Sequence, residues 1–127
     1  MEYVNILGRL LFGGYFVYNG INHFINLKML TGYAASKKVP MANIAVMGAG
    51  LMLLVGGLSY ILNFHVTAGT IILLLFLIPI SFMMHNFWAV QDAQQKMNDM
   101  INFTKNLALI GALLIFLSIR YAFGFAL

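Results

Sequence analysis

Four apolar windows, at about 4–25, 42–62, 66–85 and 103–123, account for most of this 127-residue chain. Each supplies the roughly 20 residues that a helix rising ~1.5 Å per residue needs to cross ~30 Å of hydrocarbon. A bilayer core has no water to satisfy backbone polar groups, so only helices or closed barrels can span it. The windows are continuous apolar runs, without the period-two alternation of barrel strands, and this selects helices. Composition agrees. Hydrophobic residues make up 62% and charged residues 8%, against roughly 45–50% and about 25% in soluble domains. The expected fold class is therefore all-α: a transmembrane up-down four-helix bundle, one domain over 1–127, with the lipid bilayer as its first partner.

The net charge of +4 does not point to nucleic acid. The basic residues are few, scattered, and flank the apolar windows as membrane topology requires. The absence of Cys excludes disulfides, thiolate catalysis and Cys-ligated metals or clusters. The first window starts near Met1 with no basic n-region and no small-residue cleavage site, so it is expected to be kept as the first membrane helix.

Asn63 and His65 leave room only for a tight turn, making the second and third helices antiparallel neighbours. Pro40 suits a helix start, and Pro79 should kink the third helix. Up-down topology then gathers Lys28, Lys37, Lys38, Lys96 and Lys105 at one end, against Arg9 and Arg120 at the other. By the positive-inside rule the lysine-rich end of this multi-pass protein faces the cytoplasm. Ala45 with Ala49, and Ala108 with Ala112, allow close helix packing. A homo-oligomer is left open.

Polar residues concentrate between Met84 and Ala112, bounded by apolar sequence on both sides. Polar groups inside a bilayer are expensive, so they mark function or specific pairing. On the first helix, Arg9, Tyr15, Tyr18, Asn19, Asn22 and His23 share one half of the wheel. Leu10, Gly14, Val17, Ile21, Phe24 and Ile25 occupy the other, which should face lipid. A second way of drawing the inner face runs Arg9, Gly13, Phe16, Gly20, His23, whose glycines would admit another backbone or a flat ligand. On the third helix Ser81, His85, Trp88 and Asp92 align, and on the fourth Asn98, Asn102, Lys105 and Asn106. Antiparallel packing would bring His23, His85, Trp88, Asn102, Lys105 and Asn106 to one end as a ligand-binding site. Arg9, Tyr15, Asn19 and Asn22 would form the supporting polar face. Each residue also has a structural reading: histidines as interfacial hydrogen-bonders, Trp88 and the tyrosines as an aromatic belt, Lys105 snorkelling to headgroups, Arg9 in a salt bridge, and asparagines joining helices.

Three segments, GRLLFGGYFVYNGINHF (8–24), MHNFWAV (84–90) and NFTKNLALIGALL (102–114), resemble the DoxX family of small four-helix membrane proteins. The resemblance implies a four-helix bundle in the cytoplasmic membrane. Some relatives belong to redox systems, among them a subunit of a thiosulfate:quinone oxidoreductase and a membrane complex handling oxidative stress. It transfers no catalytic residue to this chain.

Three functional readings follow. The first is a redox-associated subunit, part of a quinone-linked oxidoreductase, whose polar end binds quinone: the carbonyls need donors, the ring needs an apolar slot, and a histidine passes a proton. Electrons would come from a redox partner protein. The second makes His23 and His85 axial ligands of a haem. The third is non-enzymatic, a small-molecule carrier or a scaffold for a partner protein. No phosphate loop, nucleophile motif or carboxylate-rich metal cage is present, which excludes hydrolase and nucleotide-binding functions.

Overall fold

A computed structural model describes residues 1–122, all of whose regular structure is helical. The order is α1 (Glu2–Ile25), α2 (Leu27–Ser36), α3 (Ala42–Leu62), α4 (Val66–Met83), a 3-10 turn (Phe87–Ala89) and α5 (Ala93–Ala122). Phe123, the end of the last apolar window, lies outside the described residues. Among the described residues three helical stretches are long and apolar enough to cross a membrane: Ala42–Leu62, Val66–Ala89 and Ala93–Ala122. The first window also forms a helix, 24 residues long. It is not one of these three, because Glu2, Asn5, Arg9, Asn19, Asn22 and His23 dilute its apolar character.

Three features differ from the sequence expectation. The third expected helix, α4, ends at Met83, so His85, Trp88 and Asp92, expected to share one face of it with Ser81, lie beyond its end. Residues 27–36, expected in a loop, form α2. And α5 begins at Ala93, well ahead of the apolar window, because Asp92 starts it. The Asp92 carboxylate accepts a hydrogen bond from the Gln95 backbone N–H at 2.9 Å, and its carbonyl accepts the Lys96 N–H at 2.8 Å. This is N-capping of otherwise orphaned donors. The helix therefore carries a polar first third ahead of its apolar remainder. Pro79 lies inside α4, which continues through it.

The chain divides into two compact units, with the boundary after Leu73. In the first, α1 packs on α3 along a seam of glycines. A Cβ on Gly13 would come 2.6 Å from the Gly57 carbonyl oxygen, and one on Gly57 would come 2.7 Å from that of Gly13. Seven residues along α1, Gly20 stands in the same relation to the Gly50 carbonyl, at 2.9 Å. Heptad-spaced glycines on both antiparallel helices thus let the two backbones touch, as small residues do in membrane helix pairs. Phe16, 1% exposed, fills the space between them, and Phe12 meets Tyr60 edge-on at 4.9 Å. Of the two ways of drawing the inner face of α1, the stripe through Gly13, Phe16 and Gly20 is the buried one.

The turn after α3 places Asn63 and His65 at φ of 53° and 45°. Asn63 caps α3 in the left-handed conformation that asparagine tolerates best after glycine. Beyond the turn, Thr70 donates to the Val66 carbonyl at 2.7 Å, and the Tyr60 hydroxyl meets Thr70 Oγ1 at 2.7 Å. Both residues are buried, so the pair satisfies polar groups that would otherwise be orphaned. Gly56 and Gly69 complete the α3–α4 contact by giving way to Leu73 and Ser59.

Candidate functional site

The second unit holds the remainder of α4, the 3-10 turn and α5. Its centre is a pair of ionisable side chains. His85 Nδ1 lies 3.3 Å from Asp99 Oδ1, with the histidine side chain 17% exposed and the aspartate 3%. A carboxylate so deeply buried requires a partner, since an isolated buried charge is costly. Pairing through Nδ1 also selects the tautomer: with Nδ1–H donating to Asp99, the neutral ring keeps Nε2 as an acceptor. His85 follows α4 directly, while Asp99 sits two turns into α5. The pair thus ties the loop region to the helix start that Asp92 nucleates.

Beside it stand four aromatic rings. Phe103 of α5 is the hub, meeting Phe82, Phe87 and Trp88 edge-to-face at 5.5 Å each. Trp88 also contacts Phe87 at 5.3 Å. Edge-to-face packing of this kind is favourable beyond the area buried. Phe82 and Trp88 remain 53% and 54% exposed, leaving an open aromatic surface next to the histidine–carboxylate pair.

The other expected site residues are placed as follows. Asn106 is buried on α5. Asn102 donates to the Asn98 carbonyl at 3.0 Å, and its own Oδ1 accepts from Lys105 Nζ at 3.1 Å. Those two side chains therefore hold one another on the exposed side of the helix. His23 belongs to the first unit. Its Nδ1–H donates to the Asn19 carbonyl at 2.8 Å, and its Cβ packs where Gly50 lacks one. Within that unit it is a seam residue. Of the supporting polar face, Tyr15 is exposed. Asn19 bonds back to the Tyr15 carbonyl at 2.7 Å, and Asn22 accepts from Asn26 at 2.5 Å. Arg9 is half-buried, and its Nε has no hydrogen-bond partner among the described residues.

Asp99 was not among the expected site residues, nor were Phe82, Phe87 and Phe103. A signal for Asp99 was available. The buried positions of α5 are Asp99, Asn106 and Leu113, a strict seven-residue repeat that a wheel anchored on Leu113 would find. Anchoring on Asn98 turns the face by one residue, and Asn98 is exposed. Among the described residues no group of three or more His, Cys, Asp or Glu could hold a metal ion.

A family model, DoxX, matches residues 4–86. No curated protein and no solved structure matches the chain.

Proposed function

From the premise that this chain belongs to the DoxX family and carries membrane-span helices, we propose that it is a redox-associated membrane subunit binding a quinone-type ring beside His85. The observation that supports this most directly is the His85–Asp99 pair at 3.3 Å beside an open aromatic surface. Quinones dissolve in the lipid phase and need a flat apolar slot with a hydrogen-bonding group at each carbonyl. The exposed faces of Phe82 and Trp88 suit the ring, and His85 suits one carbonyl. A bound quinone would supply two-electron, two-proton chemistry, with one proton delivered through His85 and the other taken from water at the membrane surface. The electrons would come from a redox partner protein. With Asp99 accepting at Nδ1, His85 presents Nε2 to an oxygen placed there, where it can hold a proton and pass it on. Asp99 acts through His85, as a positioning residue.

The same reading makes α1 a fourth span in a bundle of the cytoplasmic membrane, with the lysine-rich 28–38 segment on the cytoplasmic side. Since the chain has no native Cys, single cysteines at Glu2 and Lys38 should label from opposite sides of the membrane. Same-side labelling would remove the fourth span.

Trp88 is the only tryptophan, so its fluorescence reports on this site alone. Titrating the detergent-purified protein with a short-chain benzoquinone should quench it saturably. His85→Ala should weaken binding by about tenfold, the equivalent of ~1.4 kcal/mol. Linear, unsaturable quenching in the unaltered protein would discard the quinone reading in favour of a carrier or scaffold.

A further inference from the structure

We propose that α2 and the segment following it form a binding site for anionic phospholipid headgroups. The inference stands on the first unit alone and does not depend on the quinone reading.

The residues of α2 sort cleanly by exposure. Ala34 is buried, Leu27, Leu30 and Tyr33 are partly so, and Thr31 Oγ1 donates to Asn43 Oδ1 of α3 at 3.4 Å. The opposite face presents Lys28, Gly32, Ala35 and Ser36. An added Cβ at Gly32 would meet nothing within 4 Å. The exposed face is therefore an open strip of small residues with a lysine at its start. At its other end the chain supplies Lys37 and Lys38. The helix closes with Val39 N–H donating back to the Ala34 carbonyl at 3.1 Å, which puts Lys38 at φ 63°. Glycine is the usual occupant of that closing position, yet here it carries an exposed ammonium group. Lys37 Nζ lies 5.9 Å from the centre of the Tyr33 ring, a cation–aromatic contact that steadies the charge.

Two observations identify the occupant as lipid. The first is charge: from Tyr3 through Gln91 the chain contains no Asp or Glu. Along that length every charged side chain other than histidine is basic. The second is apolar exposure at the same place. Met29 and Met41, 65% and 70% exposed, flank the lysines and offer contact to acyl chains. A free anion would have no use for them, and the apolar surface beside such lysines in a membrane protein is lipid. The location also fits, because only residues 37–41 separate α2 from α3, itself long enough to span. With α3 spanning, so short a link would keep α2 near the headgroups, where lysines attract anionic lipid within a Debye length of ~8 Å.

The test uses the full chain purified in mild detergent, with retained lipid counted by native mass spectrometry. Dioleoylphosphatidylglycerol and dioleoylphosphatidylcholine are supplied at equal concentration. The unaltered protein should retain the anionic lipid preferentially, by roughly tenfold or more. The Lys28→Gln, Lys37→Gln, Lys38→Gln triple variant should lose that preference. Gly32→Leu, which fills open space without a clash, should reduce it by placing bulk between the lysines, and it decides the matter if the triple variant does not fold. Millimolar inorganic phosphate should leave the bound lipid in place. A preference that survives both variants, or no preference in the unaltered protein, would overturn the proposal. Displacement by phosphate would overturn the lipid assignment in favour of a free anion.

Discussion

Between α1 and α3 the closest approach is made at glycines, whereas between α5 and the 3-10 turn before it contact is made by aromatic rings. In the first case two backbones come close enough that a single methyl group would strike a carbonyl oxygen at 2.6 Å. In the second, contact is made by side chains whose centres lie 5.5 Å apart. The span windows reflect this: 39% of that in α3 is buried, against 11% of that in α5. Backbone-to-backbone packing gains many dispersion contacts but tolerates no added volume. Ring packing around a polar pair is looser and leaves Phe82 and Trp88 more than half exposed.

The comparison breaks most severely at the seam. Gly13→Val should destabilise the protein by about 3 kcal/mol or prevent folding, since overpacking against a backbone atom cannot be relieved by a rotamer change. Gly14→Ala, one residue on and with open space around it, should be neutral or slightly stabilising because alanine favours helix. Thermal unfolding in detergent of the two variants measures the contrast. Equal losses would mean that α1 does not pack as described.

A smaller effect is expected at the polar pair. Asp99→Ala removes the buried partner of His85, and leaving a buried polar group unsatisfied costs about 1–3 kcal/mol. The loss should appear as a lower unfolding temperature together with a shifted Trp88 emission, because the aromatic cluster adjoins the pair. Asp99→Asn keeps the shape and should recover part of the stability. A shift in neither observable would assign the aspartate to a passive role.

Smallest is the start of α5. Asp92→Ala removes the cap to the Gln95 N–H and should cost about 1 kcal/mol, with fraying confined to the first turn. Hydrogen exchange at Gln94 to Lys96 should quicken while Asn106 to Leu113 stays protected. Unchanged exchange at the first turn would show that the helix start is held by something other than its cap.

Sequence patterning made the helical class legible, because apolar windows of membrane length have few folded solutions. It also made the seam legible, since Gly13, Phe16 and Gly20 fall on one stripe whichever neighbour they meet. The polar half-wheel through Tyr15, Tyr18, Asn19 and Asn22 was less reliable as a guide to the interior. Asparagine in a helix can satisfy itself on the carbonyl four residues back, as Asn19 does, and then demands no buried partner. The short α2 was hidden because ten residues with lysine, glycine and tyrosine carry too little periodicity to separate from a loop.

What the sequence determined by itself is therefore the membrane class and the spacing of small residues along α1. Each depends on local backbone requirements or on the absence of water in hydrocarbon. Only the tertiary structure decided that His23 packs into a glycine seam while His85 pairs with a buried carboxylate. Both histidines stand near the ends of apolar stretches and look alike in one dimension. Their difference comes from what faces them across space, Gly50 for one and Asp99 for the other.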